Sequence, residues 1–236
     1  MANNYFNFKQ FTINQERCAF KVGTDGVLLG AYADVSSATR ILAIGSGTGL
    51  IALLLALRCR ANITAIEPEH ESFVQATLNI EKSNWKDRVK AEYKSLQNFF
   101  PGDDKFDLIV TNPPYFSDSL KNPDSKKAEA RHNYRLSNDD LLDGVRRLLS
   151  DKGKFQIILP FAEANILIAE AGTYGFFCND ILKIKPQPTS VIRRMILTFT
   201  IQRLKPTEKF LTIEHGRRHE FTEEYINLTK EFYLKF

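Results

Sequence analysis

Four apolar residues, Ile41-Leu42-Ala43-Ile44, run directly into Gly45-Ser46-Gly47-Thr48-Gly49 and then into a strongly apolar stretch at residues 50–57. A short apolar run, a glycine-rich turn and a helix-length segment form a strand–turn–helix unit. The same rhythm continues downstream. Residues 63–66, 89–93, 106–110 and 155–159 read as strands, with helical segments at 68–80, 137–149 and 163–173 between or after them. Ser137-Asn138-Asp139-Asp140 supplies side chains able to cap the helix that follows. Strands alternating with helices predict βαβ units, hence an α/β fold with a mainly parallel sheet covered on both faces. Residues 181–185 and 191–202 are two further strands with no helix-length segment between them, so a terminal antiparallel hairpin is expected. A helix near 222–234 closes the chain. The lead, about residues 1–38, reads as extended: 6–8 and 11–13 alternate apolar and polar as a half-buried hairpin does, and Thr24-Asp25-Gly26 reads as a turn.

Ligand sites in such sheets lie beyond the carboxyl ends of the strands, where strand order reverses. Glycines Gly45, Gly47 and Gly49 open that position after the first strand and let a ligand approach the backbone. Leu50 stands where a dinucleotide GxGxxG pattern needs glycine, and no Lys-Ser/Thr pair is present to make a phosphate loop. Glu67 ends the next strand, where a carboxylate can accept both ribose hydroxyls of a nucleoside. Ser95 and Leu96 follow the third strand and are expected beside the adenine, with Leu96 packed on the ring.

The fourth strand ends in Asn112-Pro113-Pro114-Tyr115. The nitrogen of an adenine amino group or of a carboxamide is a poor nucleophile, because its lone pair is delocalised into the π-system. The Asn112 side-chain oxygen and the Pro113 carbonyl can each accept one NH₂ hydrogen and favour a pyramidal nitrogen. The two prolines hold these acceptors rigidly, and Tyr115 offers a flat face to the planar target.

Charge adds a partner class. Residues 1–180 hold 21 Lys/Arg against 22 Asp/Glu, whereas 181–236 hold 11 against 6. The whole positive excess lies in the last quarter, which suits a phosphate backbone. Arg193, Arg194, Arg203, Lys205, Arg217 and Arg218 are candidates to hold an RNA stem. After Tyr115, about twenty residues lack periodicity and carry Lys121, Lys126, Lys127, Arg131 and Arg135. They read as a lid that orders on RNA, with Arg131 and Arg135 on phosphates. No apolar run approaches bilayer length, and Met1-Ala2-Asn3-Asn4-Tyr5 lacks a basic region followed by an apolar one, so a cytoplasmic location is expected. Cys18, Cys59 and Cys178 are scattered and odd in number, implying neither a disulfide framework nor a metal site.

The assembly of residues 42–49, Glu67 and Asn112-Pro113-Pro114-Tyr115 resembles the class I methyltransferases that act on amino groups of adenine or glutamine. The lead, Phe8-Lys9-Gln10-Phe11 through Lys21-Val22-Gly23-Thr24-Asp25-Gly26-Val27-Leu28-Leu29-Gly30, together with Ala130-Arg131-His132 and Leu136-Ser137, is similar to the bacterial tRNA1(Val) adenine-N6 methyltransferases. The resemblance implies a single Rossmann-like domain with a seven-stranded sheet, S-adenosylmethionine as cofactor and tRNA as partner, with the adenine 3′ of the anticodon as target; the sequence leaves the oligomeric state open, with a slight preference for a monomer. The departure is Ala43, where relatives carry an Asp that helps hold the cofactor's ammonium group. Asp25, beside Thr24, or a water molecule is the expected substitute. Two other readings stand beside this one: methylation of a protein glutamine, as in release factors, and RNA binding by a degenerate, non-catalytic methyltransferase fold. A guanine-N2 methyltransferase fits Tyr115 less well.

Overall fold

The computed structural model describes residues 3–114 and 136–235. Its main sheet has eight strands: β3 (Arg40–Ile44), β4 (Asn62–Glu67), β5 (Val89–Tyr93), β6 (Phe106–Thr111), β7 (Leu149–Pro160), β8 (Phe177–Lys185), β9 (Arg194–Thr200) and β10 (Thr207–Thr212). They lie in the order β10-β8-β9-β7-β6-β3-β4-β5. All run parallel except β9, which is antiparallel to both β7 and β8. The expected terminal hairpin is therefore present, with its second strand inserted between the first and the parallel sheet. The sheet has one strand more than the seven expected. β10 escaped notice because Thr207-Glu208-Lys209-Phe210 is exposed, so the edge strand carries little apolar patterning.

Helices α1 (Thr24–Tyr32), α2 (Leu50–Arg58), α3 (His70–Glu81), α4 (Asn138–Leu148), α5 (Phe161–Ala171) and α6 (Glu223–Thr229) cover the sheet. Alternation along the strands divides the core by face. Ile41 and Ala43 join one cluster with α1 and α2, while Leu42 and Ile44 join the other with α4 and α5. The central strands are apolar on both sides because both sides are covered. Caps fix the helix starts: Glu69 accepts from the Glu71 and Ser72 amides, and Ser137 from the Asp140 amide at 3.0 Å.

A separate hairpin, β1 (Tyr5–Asn7) and β2 (Thr12–Asn14), precedes α1. The carbonyl of Phe232 accepts from the Lys9 amide at 2.8 Å, and Phe8 stacks on Tyr233 with ring centroids 6.0 Å apart, which ties this hairpin to the tail of the chain. The rest of the lead departs from expectation, because residues 24–32 form a helix. Gly26 and Gly30 lower its intrinsic propensity and so hide it. They are there for contact: a Cβ on Gly30 would stand 2.7 Å from Leu54 Cδ1, and one on Gly26 3.1 Å from Leu50 Cδ2. One glycine per turn lets α1 lie directly on α2.

Candidate active site

The chain passes outward through β3, β4 and β5, then returns to place β6 on the other side of β3. That return makes β3/β6 the switch point. Ile44 pairs with Thr111 across it, and the Thr111 hydroxyl donates to the Ile44 carbonyl at 3.0 Å. Gly45 and Asn112, the next residues on each strand, therefore begin the two walls of one crevice. A cleft of about 1040 Å³ opens there, bordered by the glycine turn, Glu67, residues 93–98, the start of α1 and residues 111–114.

The glycine turn is stitched to the end of β4. The Ser46 amide donates to the Ile66 carbonyl at 3.1 Å, and the Gly47 amide to Glu67 Oε2 at 2.7 Å. Gly45, Gly47 and Gly49 have φ of 63°, 54° and 81°, the left-handed region that other residues enter at a cost. Among the described residues, no atom beyond the adjoining ones lies within 4 Å of where a Cβ on Gly45 or Gly47 would stand, so these glycines leave open space on the cleft side. Asn79, from α3, holds the turn from behind by donating to the Thr48 carbonyl at 2.9 Å and to the Asn14 carbonyl at 2.8 Å.

Glu67 is only 7% exposed. Its Oε1 accepts from the Glu69 amide at 3.0 Å, so both carboxylate oxygens are fixed by backbone donors. Burial pushes its carboxyl up to about 7, against the downward pull of those two amides. The two effects leave an oriented carboxylate with poor solvation, ready to take hydroxyl donors.

On the other wall Asn112 and Pro113 are half-buried and Pro114 is exposed. Asn112 Nδ2 would be 3.8 Å from a Cβ on Gly26, so α1 approaches the Asn112 side chain closely. Thr24 and Asp25 border the cleft from the first turn of α1, which corrects the turn expected there. Asp25 Oδ2 accepts from Arg194 Nε at 2.8 Å. Arg194 was expected to face RNA phosphates; it is partly enclosed and paired with this carboxylate, whereas Arg193 is exposed. Ser95 and Leu96 do border the cleft, but Leu96 is 3% exposed and leans on α4, where a Cβ on Gly144 would be 2.6 Å from its Cγ. Tyr115, Lys121, Lys126, Lys127, Arg131, His132 and Arg135 lie outside the described residues.

Several lining residues carried no sequence signal. Phe20, half-exposed, and Cys18, whose thiol burial pushes up to about 11, form an outer wall with Val22. Tyr93, half-exposed at the end of β5, meets His70 edge-on with ring centroids 5.5 Å apart. The Ser46 hydroxyl is buried with no hydrogen-bond partner among the described residues. A bare glycine cradle, a buried carboxylate with fixed oxygens and an orphaned hydroxyl together fit an S-adenosylmethionine group lying across the ends of β3 and β4. Among the described residues no three His, Cys, Asp or Glu side chains gather to hold a metal, and no helix is long and apolar enough to cross a membrane.

The fold is shared with solved methyltransferases. A protein from Agrobacterium tumefaciens, described as a predicted O-methyltransferase, superimposes with a TM-score of 0.70 at 21% identity, over 88% of this chain and 96% of that one. A glycopeptide N-methyltransferase complexed with S-adenosylmethionine gives a TM-score of 0.56 at 13% identity, over 77% of this chain and 100% of its own. The methyltransferase small domain family model matches residues 22–159. A tRNA1(Val) (adenine(37)-N6)-methyltransferase of Trichodesmium erythraeum is 45% identical over 100% of both chains, and one of Phocaeicola vulgatus 46% identical over 99% of both. By these full-length similarities the chain belongs to the tRNA1(Val) (adenine(37)-N6)-methyltransferase family, built on the methyltransferase small domain.

Proposed function

We propose that this protein works in the cytoplasm as a single, monomeric methyltransferase domain, and transfers a methyl group from S-adenosylmethionine to N6 of adenine 37 in tRNA1(Val). The relatives' shared activity supports the target. The observation that carries the chemistry is the Ile44–Thr111 pairing, which sets the glycine turn and Asn112 side by side at the switch point.

Bound there, S-adenosylmethionine supplies a methyl group already activated on a sulfonium. The chain's own work is positioning. Glu67 takes the ribose hydroxyls, and the turn at Gly45 and Gly47 leaves room for the cofactor against the backbone. Asp25, already bonded to Arg194, stands at the α1 side of the cleft, in reach of the role that Ala43 vacates. The Asn112 side-chain oxygen and the Pro113 carbonyl accept the two amino hydrogens, so the nitrogen lone pair turns toward the methyl group. Tyr115, which follows Pro114 in the sequence, supplies an aromatic ring suited to a planar base. Because the leaving group is activated, orientation and charge placement suffice without a strong base. The adenine reaches these groups by leaving its stack, as single-stranded loop bases do readily.

Labelled S-adenosylmethionine offered in parallel with bulk tRNA, release-factor protein and ribosomal RNA tests this. Label entering tRNA is expected. Label in protein alone refutes the tRNA reading in favour of glutamine transfer, and no label in any acceptor supports a non-catalytic RNA-binding role.

A further inference from the structure

The basic excess of the last quarter does not form one patch. Because β9 runs against its neighbours, its start and the ends of β7, β8 and β10 all reach the carboxyl edge of the sheet, the edge that bears the cleft. Arg203 and Lys205 follow the other end of β9 and sit at the opposite edge. Arg193, Arg217 and Arg218 are exposed on the cleft edge. The segments there are bonded into a continuous rim. The Phe161 amide donates to the Arg193 carbonyl at 3.3 Å, the Ile213 amide to the Lys185 carbonyl at 2.9 Å, and the Gln187 side chain to the Gly216 carbonyl at 3.1 Å. Phe161, 44% exposed, begins α5 directly beyond the end of β7.

Strand order sets the distances. At about 4.8 Å per strand, β7, which leads into Phe161, lies one strand from β6, β9 about 10 Å from it and β10, which leads toward Arg217 and Arg218, about 19 Å. Acids on this rim are partly engaged: Glu220 faces Arg217 at 3.7 Å, and Glu214 accepts from the His219 amide. Glu163, in the first turn of α5, is half-buried.

We propose that this rim is the docking track for the RNA strand leading into the cleft, with Phe161 stacking on the base beside the target and Arg193, Arg217 and Arg218 on successive phosphates. The inference rests on the RNA reading above and makes it directional: the strand leaves Asn112 across β7 and β9 toward β10, away from the cofactor's side of the sheet. Aromatic stacking and guanidinium–phosphate pairs are the contacts that unstacked RNA recognises.

The test compares two variants of the full chain, Arg193→Gln/Arg217→Gln/Arg218→Gln and Arg203→Gln/Lys205→Gln, each with an unchanged melting temperature. Binding of a labelled anticodon stem-loop RNA is read by fluorescence anisotropy over a range of salt. The rim variant is expected to bind at least ~10-fold more weakly and to lose about 2 from the slope of log affinity against log salt; the opposite-edge variant keeps both within error. Phe161→Ala is expected to weaken binding ~5-fold or more while leaving the salt slope unchanged. Equal losses in the two arginine/lysine variants would mean diffuse charge attraction and overturn the track, as would an unaffected rim variant. Binding is read without methyl transfer. Wild-type protein that binds through these arginines but transfers nothing to tRNA would overturn the transfer reading alone.

Discussion

Lowering the pH should weaken cofactor binding through Glu67. In the free protein this carboxyl is pushed up to about 7 by burial, although the Gly47 and Glu69 amides oppose the shift. Two ribose hydroxyls donating to it need the ionised form, so binding releases a proton wherever the free carboxyl is protonated. If only the ionised form binds, affinity is level above about pH 8 and falls tenfold per unit below about 7; at pH ~5.5 it is ~30-fold weaker than the plateau. Stability should move the opposite way. The folded value lies above the ordinary 4.5, so this group's contribution is fully present below about 4.5 and is lost as pH rises through about 7. The full loss is about 3 kcal/mol. Asp34, held down to about 2 chiefly by its hydrogen bond to Lys154, titrates far outside this window. Titration calorimetry with S-adenosylhomocysteine, in buffers of differing ionisation heat, reads both the affinity and the proton. An affinity constant within threefold between pH ~5.5 and ~8.5, with no proton released near neutrality, would refute the assignment of Glu67 to the ribose.

Other substitutions separate the two walls of the cleft. Asn112→Ala should lower transfer ~100-fold or more while cofactor affinity stays within about threefold; a large affinity loss would mean that Asn112 serves the cofactor. Asp25→Asn should weaken cofactor binding ~5-fold or more by removing the carboxylate opposite the ammonium group, and unchanged affinity in the same calorimetry would take Asp25 out of the account. Gly30→Ala should cost about 1–3 kcal/mol in chemical denaturation, because its Cβ would meet the Leu54 side chain at 2.7 Å. A wild-type midpoint there would show that α1 can shift away from α2 freely.

The central strands were legible because burial on both faces made them continuous apolar runs, and the turns after them carried glycine, glutamate and Asn-Pro-Pro at the positions that face a ligand. What escaped had physical reasons. Helix α1 is disguised by Gly26 and Gly30, whose packing value appears only when α2 lies against them. Edge strand β10 is exposed on both faces over Thr207–Phe210 and has one free edge, so its pattern carries little apolar signal. The Asp25–Arg194 pair joins residues 169 positions apart, a contact that local spacing cannot express. The basic tail looked like one surface because linear order hides the reversal of β9, which sends Arg193 and Arg203 to opposite edges. Residues such as Phe20 and Tyr93 border the cleft as ordinary aromatics and carry no motif.

The central claim is transfer to an adenine amino group, and the product identifies it. A tRNA1(Val) transcript incubated with the protein and S-adenosylmethionine, then digested to nucleosides and analysed by mass spectrometry, should yield N6-methyladenosine, mapped by fragment analysis to position 37. An Asn112→Ala chain of normal stability should yield almost none. Methylation appearing on guanosine or at another adenosine position, or persisting undiminished in the Asn112→Ala chain, would contradict the account.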